Sequence, residues 1–588
     1  MSKASRLLLL SAALLAPLAG LALSGCAADP ARAPLAAIPS AGAAIQEDDS
    51  PSSNYGLFLA GEAALHGGRP EDAARYFARA AQGAGDQAAA DQDLIREKAF
   101  EAAVMAGDID RASGLVPADP AGPAPAQRLA RLVRAVDALS EGRNKEANAI
   151  LTAPGGGAAF NGGITLLRPW AAAAAGDLQG AVTQPGAPAP RLTRLSAQES
   201  QAMLYERAKR YDEAETDYKA LTGNPQLGGL YVLSHGAFLE RRGRAKEAVA
   251  LYTDALQRSP NDRDLKRALA RAGAAKRPPA MLTLKQGAAK AMTAAAELAL
   301  VDKQINEGDI YLRLALRLDP QRDEAWVLLG DIRAASDQQQ AARDAYGHIG
   351  PSSPNWPEAR QRVIASYQAE GDNETALRLV SDLIKVEPSD RDALIAQADI
   401  LRATDRFEEA VKVLDKLISD NSGGPAGWAL YFERGTALDR AGRWADAEKD
   451  LLKALTLQPD EPDVLNYLGY SWIVRGERTQ QALGMLQRAY LAQPDSGEIA
   501  DSLGWAYYNM GDFKQAVQRL ERAVSLSPVS AEITDHLGDA YWRAGRKTEA
   551  QYQWTRVLTL APTPELKTAA ERKITSGLTP AVAASTRS

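Results

Sequence analysis

The sequence predicts an all-α solenoid of about a dozen stacked antiparallel helix pairs, and three observations predict it. A motif recurs: "SLGWAYYNMG" (502–511) aligns with "HLGDAYWRAG" (536–545), which places Gly538 34 residues after Gly504. Gly435 and Gly469 are also 34 apart, and the 35-residue step from Gly469 to Gly504 absorbs one extra residue near Thr479. Each copy then continues with one grammar. Tyr507 is followed by Gly511, Ala516, Leu520, Ala523 and Pro528, and Tyr541 by Gly545, Ala550, Trp554, Val557 and Pro562. Leu438 is followed by Gly442, Ala447, Leu451, Ala454 and Pro459. Finally, 588 residues exceed what a single core organises, so several domains or an elongated repeat array are required.

Each recurring position has a physical reason. Small residues such as Gly504 and Ala516 let two antiparallel helices approach closely. Gly511 ends a first helix where the backbone turns left-handed. Pro528 cannot continue a second helix and forces the chain into the next unit.

The chain opens on "MSKASRLLLLSAALLAPLAGLALSGC", a short basic start (Lys3, Arg6) followed by an apolar stretch too short and too interrupted to span a membrane in the mature protein. Residues 1–25 have the form of a lipoprotein signal peptide. Leu23-Ser24-Gly25-Cys26 resembles the bacterial lipobox, in which the thiol is acylated after cleavage just before it. Cys26 is the one cysteine of the sequence. Once lipidated, it leaves no thiol for disulfides, redox chemistry or metal ligation, so packing alone must hold the exported chain together. Acyl chains contribute about 0.8 kcal/mol per buried methylene, enough for a lasting anchor when several are present. Ala27, where retained lipoproteins carry aspartate, resembles the pattern sorted to the outer membrane. The resemblance implies the periplasmic face of that membrane.

Residues 26–54, rich in Ala, Pro, Ser and Asp, cannot bury enough apolar surface to order themselves and are expected to be a disordered tether. A divergent N-terminal array is expected over 55–275. Gly236, Leu239, Gly243, Ala248, Tyr252, Ala255 and Pro260 form a clean unit within it, and Gly61, Ala73, Phe77 and Ala80 mark another. Interruptions fall at "APGGGAAFNGG" (153–163), "QPGAPAPRL" (184–192) and "AAKRPPAMLT" (274–283). Gly155–Gly157 lack the strand, lysine and helix that a phosphate cradle requires, and read as a loop. A regular C-terminal array is expected over 281–575, and a disordered tail over 576–588.

Composition narrows the function. Hydrophobic residues make up 46% and charged residues 24%, ordinary for a folded chain. A net charge of −6 with interspersed acids and bases leaves no overall footprint for nucleic acid. His66, His235, His348 and His536 lie in separate units, without HExxH or an i, i+4 partner, so no metal site is expected. His536 reads as a groove or surface residue. No nucleophile–base set, carboxylate pair or cofactor motif stands out, so neither catalysis nor a cofactor nor a small-molecule substrate is expected.

In stacked helix pairs the first helices line an inner groove. Trp505 and Tyr508 sit one and four residues past Gly504, and in the tetratricopeptide arrays that this repeat resembles those positions look into that groove. Their counterparts are Tyr470 and Ile473 one unit earlier, and Asp539 and Trp542 one unit later. Asn466, Asp501 and Asp535 lie three residues before each glycine, and Asn509 and Arg543 flank the rim. The expected partner-binding stripe is therefore Asn466, Tyr470, Asp501, Trp505, Tyr508, Asp535, Asp539, Trp542 and Arg543. Aromatic anchors beside polar groups are what protein-binding hot spots use. The acids favour a basic or polar-aromatic partner surface. Trp505→Ala with Tyr508→Ala should keep helicity and melting close to wild type while weakening partner capture; a melt lowered by several degrees would make the rings core and end the groove assignment.

The recurring grammar is that of the tetratricopeptide repeat. The run "VLNYLGYSWIVRGERTQQALGMLQRAYLAQPDSGEIADSLGWAYYNMGDF" with "AEITDHLGDAYWRAGRKTEAQYQW" resembles large bacterial outer-membrane tetratricopeptide lipoproteins, best over about 430–575. The resemblance implies a superhelical solenoid and a non-enzymatic adaptor that docks envelope proteins. Some members of that family dock a periplasmic carboxy-terminal-processing protease and its cell-wall hydrolase substrates. Lipoproteins that assemble a secretion, pilus or exopolysaccharide machine use the same repeats and form the alternative.

Overall fold

The computed structural model describes residues 53–82, 89–116, 125–153, 159–182, 189–260, 262–421 and 427–578. Cys26, the leader, the tether up to residue 52, Gly155–Gly157 and the tail from residue 579 lie outside them. Every regular element among the described residues is helical. The chain divides into two compact units between Asp372 and Asn373.

The first unit opens with α1 (Asn54–His66), α2 (Pro70–Gln82), α3 (Ala89–Ala106), α4 (Ile109–Leu115), α5 (Pro125–Ser140) and α6 (Asn144–Thr152). It continues through α7 (Asn161–Ala175), α8 (Leu178–Ala181), α9 (Arg191–Arg207), α10 (Tyr211–Thr222), α11 (Val232–Arg241), α12 (Ala245–Arg258) and α13 (Arg263–Gly273). The Pro-containing stretch 274–283 links α13 to α14 (Leu284–Val301), which is followed by α15 (Ile305–Leu318), α16 (Asp323–Ala335), α17 (Gln339–Gly347) and α18 (Trp356–Ala369). The second unit holds α19 (Asn373–Val386), α20 (Arg391–Ala403), α21 (Phe407–Asn421), α22 (Gly427–Arg440), α23 (Trp444–Leu457) and α24 (Pro462–Arg475). It ends with α25 (Thr479–Ala492), α26 (Gly497–Asn509), α27 (Phe513–Leu526), α28 (Ala531–Arg543), α29 (Lys547–Val557) and α30 (Pro564–Ser576).

Helix pairs close on the small positions read from the sequence. A Cβ on Gly236 would sit 2.3 Å from the Tyr252 ring, and one on Gly330 would sit 2.2 Å from the Tyr346 ring. Gly504 faces Leu520 and Gly538 faces Trp554 in the same way. Only glycine admits such a large side chain from the second helix. The turn between the helices is left-handed as expected, with φ of 80° at Gly511 and 84° at Gly545.

The first unit departs from a simple stack. Repeats in a solenoid ordinarily touch only their neighbours. Here α14 packs on α7 and α9, while α15 packs on α5 and α3. Those partners are the first helices of successive pairs, so the α14–α15 hairpin fills the inner face of its own N-terminal array. The seam is antiparallel: Gly287 meets the Trp170 ring, and the Tyr311 hydroxyl accepts from the Gly163 N–H at 3.1 Å. Arg317 then reaches Asp137 at 3.0 Å and Asp110 at 2.5 Å, and Gln338 Nε2 donates to the Gly68 carbonyl at 3.2 Å. As the chain advances from 287 to 338, its partners retreat from 170 to 68. Phe100, Leu132, Trp170, Met292 and Leu314 share the resulting core.

Candidate functional site

Through α24 and α26 the second unit keeps neighbour-only packing, with substantial contacts confined to adjacent helices of the stack. The predicted stripe lies along α24, α26 and α28. Trp505, Tyr508, Tyr470, Asn466, Trp542 and Arg543 are half-buried, whereas Asp501, Asp535 and Asp539 are buried.

The rings are tied to one another. Trp505 and Tyr508 stack with centroids 4.5 Å apart and planes 5° from parallel, one helical turn apart on α26. Trp505 also stacks on His536 of α28 at 4.0 Å, and Tyr508 meets Phe513 edge-on at 5.7 Å. The Tyr508 hydroxyl accepts from Arg543 Nε at 3.5 Å, and burial raises its pKa. Truncating Trp505 therefore removes inter-repeat packing as well as groove surface. These contacts run against the expectation that Trp505→Ala with Tyr508→Ala leaves the melt near wild type, because aromatic pairs contribute about 0.5–1.5 kcal/mol each beyond their buried area. Tyr507 sits apart from this group, its hydroxyl accepting from Gln487 Nε2 at 3.1 Å.

The aspartates are largely engaged within the chain. Asp501 accepts from His536 Nδ1 through both oxygens, at 2.9 and 3.0 Å. Burial disfavours the charged imidazole, but the Asp501 carboxylate, helped by Glu532 and Asp535, outweighs it and raises the His536 pKa. His536 is thus a buried bridge between repeats, not the groove or surface residue its sequence position suggested. Lys573 Nζ lies 2.6 Å from Asp535 and 2.7 Å from Asp539. Asp539 also accepts from Trp554 Nε1 at 3.0 Å. Burial raises the Asp539 pKa, with Lys573 opposing, and Lys573 is itself raised because the two carboxylates outweigh its desolvation.

Trp542 lies against Trp554 at 5.3 Å, and Gly577 sits so close that a Cβ there would come within 2.1 Å of its ring. The last helix, α30, therefore covers the end of the stripe, with Lys573 and Gly577 over Asp535, Asp539 and Trp542. Its other face carries Glu565, Lys567, Glu571 and Arg572 to solvent, the polar outer face a terminal repeat requires. Among the described residues, α30 does not reach the stretch from Asn466 and Tyr470 to Trp505, Tyr508 and Glu532. Glu532 did not stand out in the sequence reading, nor did Lys573, although Lys573 falls 34 residues after Asp539. Among the described residues, no three His, Cys, Asp or Glu side chains are grouped to hold a metal ion, and no helix is long and apolar enough to cross a membrane.

Two family models, both described as tetratricopeptide repeat, match the chain, one over 25–89, 199–263, 432–498 and 502–563 and the other over 367–431. The TPR repeat-containing protein PA4667 of Pseudomonas aeruginosa is 28% identical over 198 residues, 33% of this chain and 32% of that protein. The human PEX5-related protein is 26% identical over 193 residues, 30% of this chain and 31% of that protein. The chain thus spans about a third of the length of each of these relatives. A tetratricopeptide repeat protein from Parabacteroides merdae has a crystal structure similar over 43% of this chain and 99% of its own, at 14% identity and a TM-score of 0.38.

Proposed function

This chain belongs to the tetratricopeptide repeat proteins, and from that premise we propose that it is a non-enzymatic, lipid-anchored adaptor on the periplasmic face of the outer membrane. Tetratricopeptide repeats mark a protein-interaction scaffold. The observation that carries the reading is the contrast between the two inner faces. In the first unit the face is filled by α14 and α15, while in the second no helix among the described residues fills it along α24 and α26, where it carries half-buried aromatic side chains. Half-buried aromatic rings beside polar groups suit a protein partner. The lipobox-like run ending at Cys26 supports the anchor. The likeness of 430–575 to lipoprotein adaptors supports a processing protease and peptidoglycan hydrolases as partners.

A photo-crosslinking amino acid at Asn509, exposed on the groove rim, tests the docking face against one at Tyr552 on α29, which is 76% exposed. Envelope proteins crosslinked from Asn509 but not from Tyr552 support the reading, and equal or absent crosslinking from Asn509 overturns it. Cys26→Ala should release the protein from the membrane fraction.

A further inference from the structure

Resting on the reading of the second unit's inner face as a docking groove, we propose that its occupant presents an arginine or lysine side chain to the stretch bounded by Asn466 and Tyr470 on α24 and Glu532 on α28. The face has acceptors in excess of donors. Asn466 Oδ1 is buried without a hydrogen-bond partner, at the position three residues before the small glycine of its repeat. A buried acceptor left unmet costs about 1–3 kcal/mol, so a donor-bearing partner gains by meeting it.

The chain itself shows how this face is satisfied. Asp501 takes a histidine from one repeat further on, and Asp535 with Asp539 takes Lys573 from one helix further still. Each carboxylate is met by a cation placed about 34 to 38 residues later. Glu532 breaks the series: it is exposed, and among the described residues no ion pair or hydrogen bond reaches its side chain. Tyr470 adds an aromatic face, and no donor or acceptor among the described residues reaches its hydroxyl. α26 packs against both α24 and α28 and lies between them. Burial first, then Glu532 and Asp501, push the Tyr470 phenol up to about 12. A guanidinium or ammonium would meet the Glu532 carboxylate, supply a donor to Asn466 Oδ1 and lie against the ring. An acidic occupant would add charge to a face whose acids are only partly compensated.

The test uses the full chain and phage-displayed random dodecapeptides. Peptides selected on the wild-type protein are sequenced, their affinities are measured for wild type and Glu532→Gln, and their capture by a photo-crosslinking amino acid at Asn509 is scored. Glu532 is exposed, so Glu532→Gln should retain the wild-type melt. Support requires selected peptides enriched in arginine or lysine and weakened about tenfold by Glu532→Gln, as for loss of one charge-assisted hydrogen bond. Peptides that crosslink at Asn509 but carry no basic enrichment and ignore Glu532→Gln would overturn the proposal and leave the groove reading standing. Peptides that ignore Glu532→Gln and do not crosslink at Asn509, or no selected peptides, would remove the groove reading and the proposal with it.

Discussion

His536 places Nδ1 2.9 and 3.0 Å from the two carboxylate oxygens of Asp501, one repeat earlier, while its ring lies on Trp505 at 4.0 Å. One imidazole thus couples two repeats by charge and by stacking. Because the ion pair and the stack share a single ring, the inter-repeat contact depends on protonation.

The His536 pKa is raised in the folded state. The pair's contribution to stability is therefore fully present below the unfolded histidine value of about 6.5 and is lost as pH rises through the higher folded value. Each unit of separation corresponds to about 1.4 kcal/mol. Chemical denaturation followed through the second unit's tryptophans should show wild type losing stability relative to Asp501→Asn as pH rises above about 6.5. Other groups titrating in that range are common to both proteins and cancel in the difference. Parallel pH profiles would show that the pair carries no charge.

The seam of the first unit makes a second prediction. A Cβ on Gly287 would lie 2.0 Å from the Trp170 ring, and Trp170 is only 2% exposed, so the ring has nowhere to go. Gly287→Ala should destabilise the first unit by about 1–3 kcal/mol through overpacking. Differential scanning calorimetry should resolve this as a lowered transition for the first unit with the second unit's transition unmoved. Gly484 has open space around its Cβ, and Gly484→Ala is the neutral control.

That seam also marks where the sequence stopped being legible. In the second unit, Gly504 with Leu520 and Gly538 with Trp554 are separated by a fixed, short spacing, so periodicity reveals both partners of each contact. Arg317 with Asp110 and Gln338 with Gly68 are 207 and 270 residues apart, and no local period links them. The available signal was composition: "GAAKAMTAAAELAL" in α14 is apolar nearly all round, as a helix buried on every side must be. The stripe on α24, α26 and α28 was legible for the same reason as the repeats. The pairing of Asp501 with His536 was not, because burial of a histidine depends on the neighbouring repeat's curvature.

His235 titrates with the opposite sign. It is 6% exposed, stacks on Tyr218 with centroids 5.6 Å apart, and has Nδ1 3.1 Å from the Thr222 hydroxyl. Burial, the largest influence, lowers its pKa to about 4. Neutral His235 therefore supports the fold above the unfolded value of about 6.5, and that support is lost as pH falls toward the folded value. The first unit should lose on the order of 3 kcal/mol between about pH 7 and pH 4 through this residue. His235→Gln should flatten that part of the profile while lowering stability at neutral pH. An unchanged acid limb in His235→Gln would assign the loss to carboxylates.

Lys573 supplies the last prediction. Its ammonium holds Asp535 and Asp539, which are 6% and 7% exposed, so Lys573→Met strands two buried carboxylates. Breaking a buried pair in this way costs about 3–5 kcal/mol in a protein interior. Here α30 is the last helix among the described residues and packs on α29, so the loss is limited by the free energy with which that helix docks, and the expected readout is local opening. Trypsin should cut at Lys567 and Arg572 faster in Lys573→Met than in wild type, while Lys573→Arg should stay near wild type. Asp535→Asn with Asp539→Asn should restore resistance in the Lys573→Met background, because neutral amides no longer demand a cation. Lower pH should act the same way as Asp539, its pKa already raised by burial, takes up a proton. If the neutralised triple variant is cut as fast as Lys573→Met, α30 is held by Ile574 and Gly577 against the last repeat, and the charge is incidental.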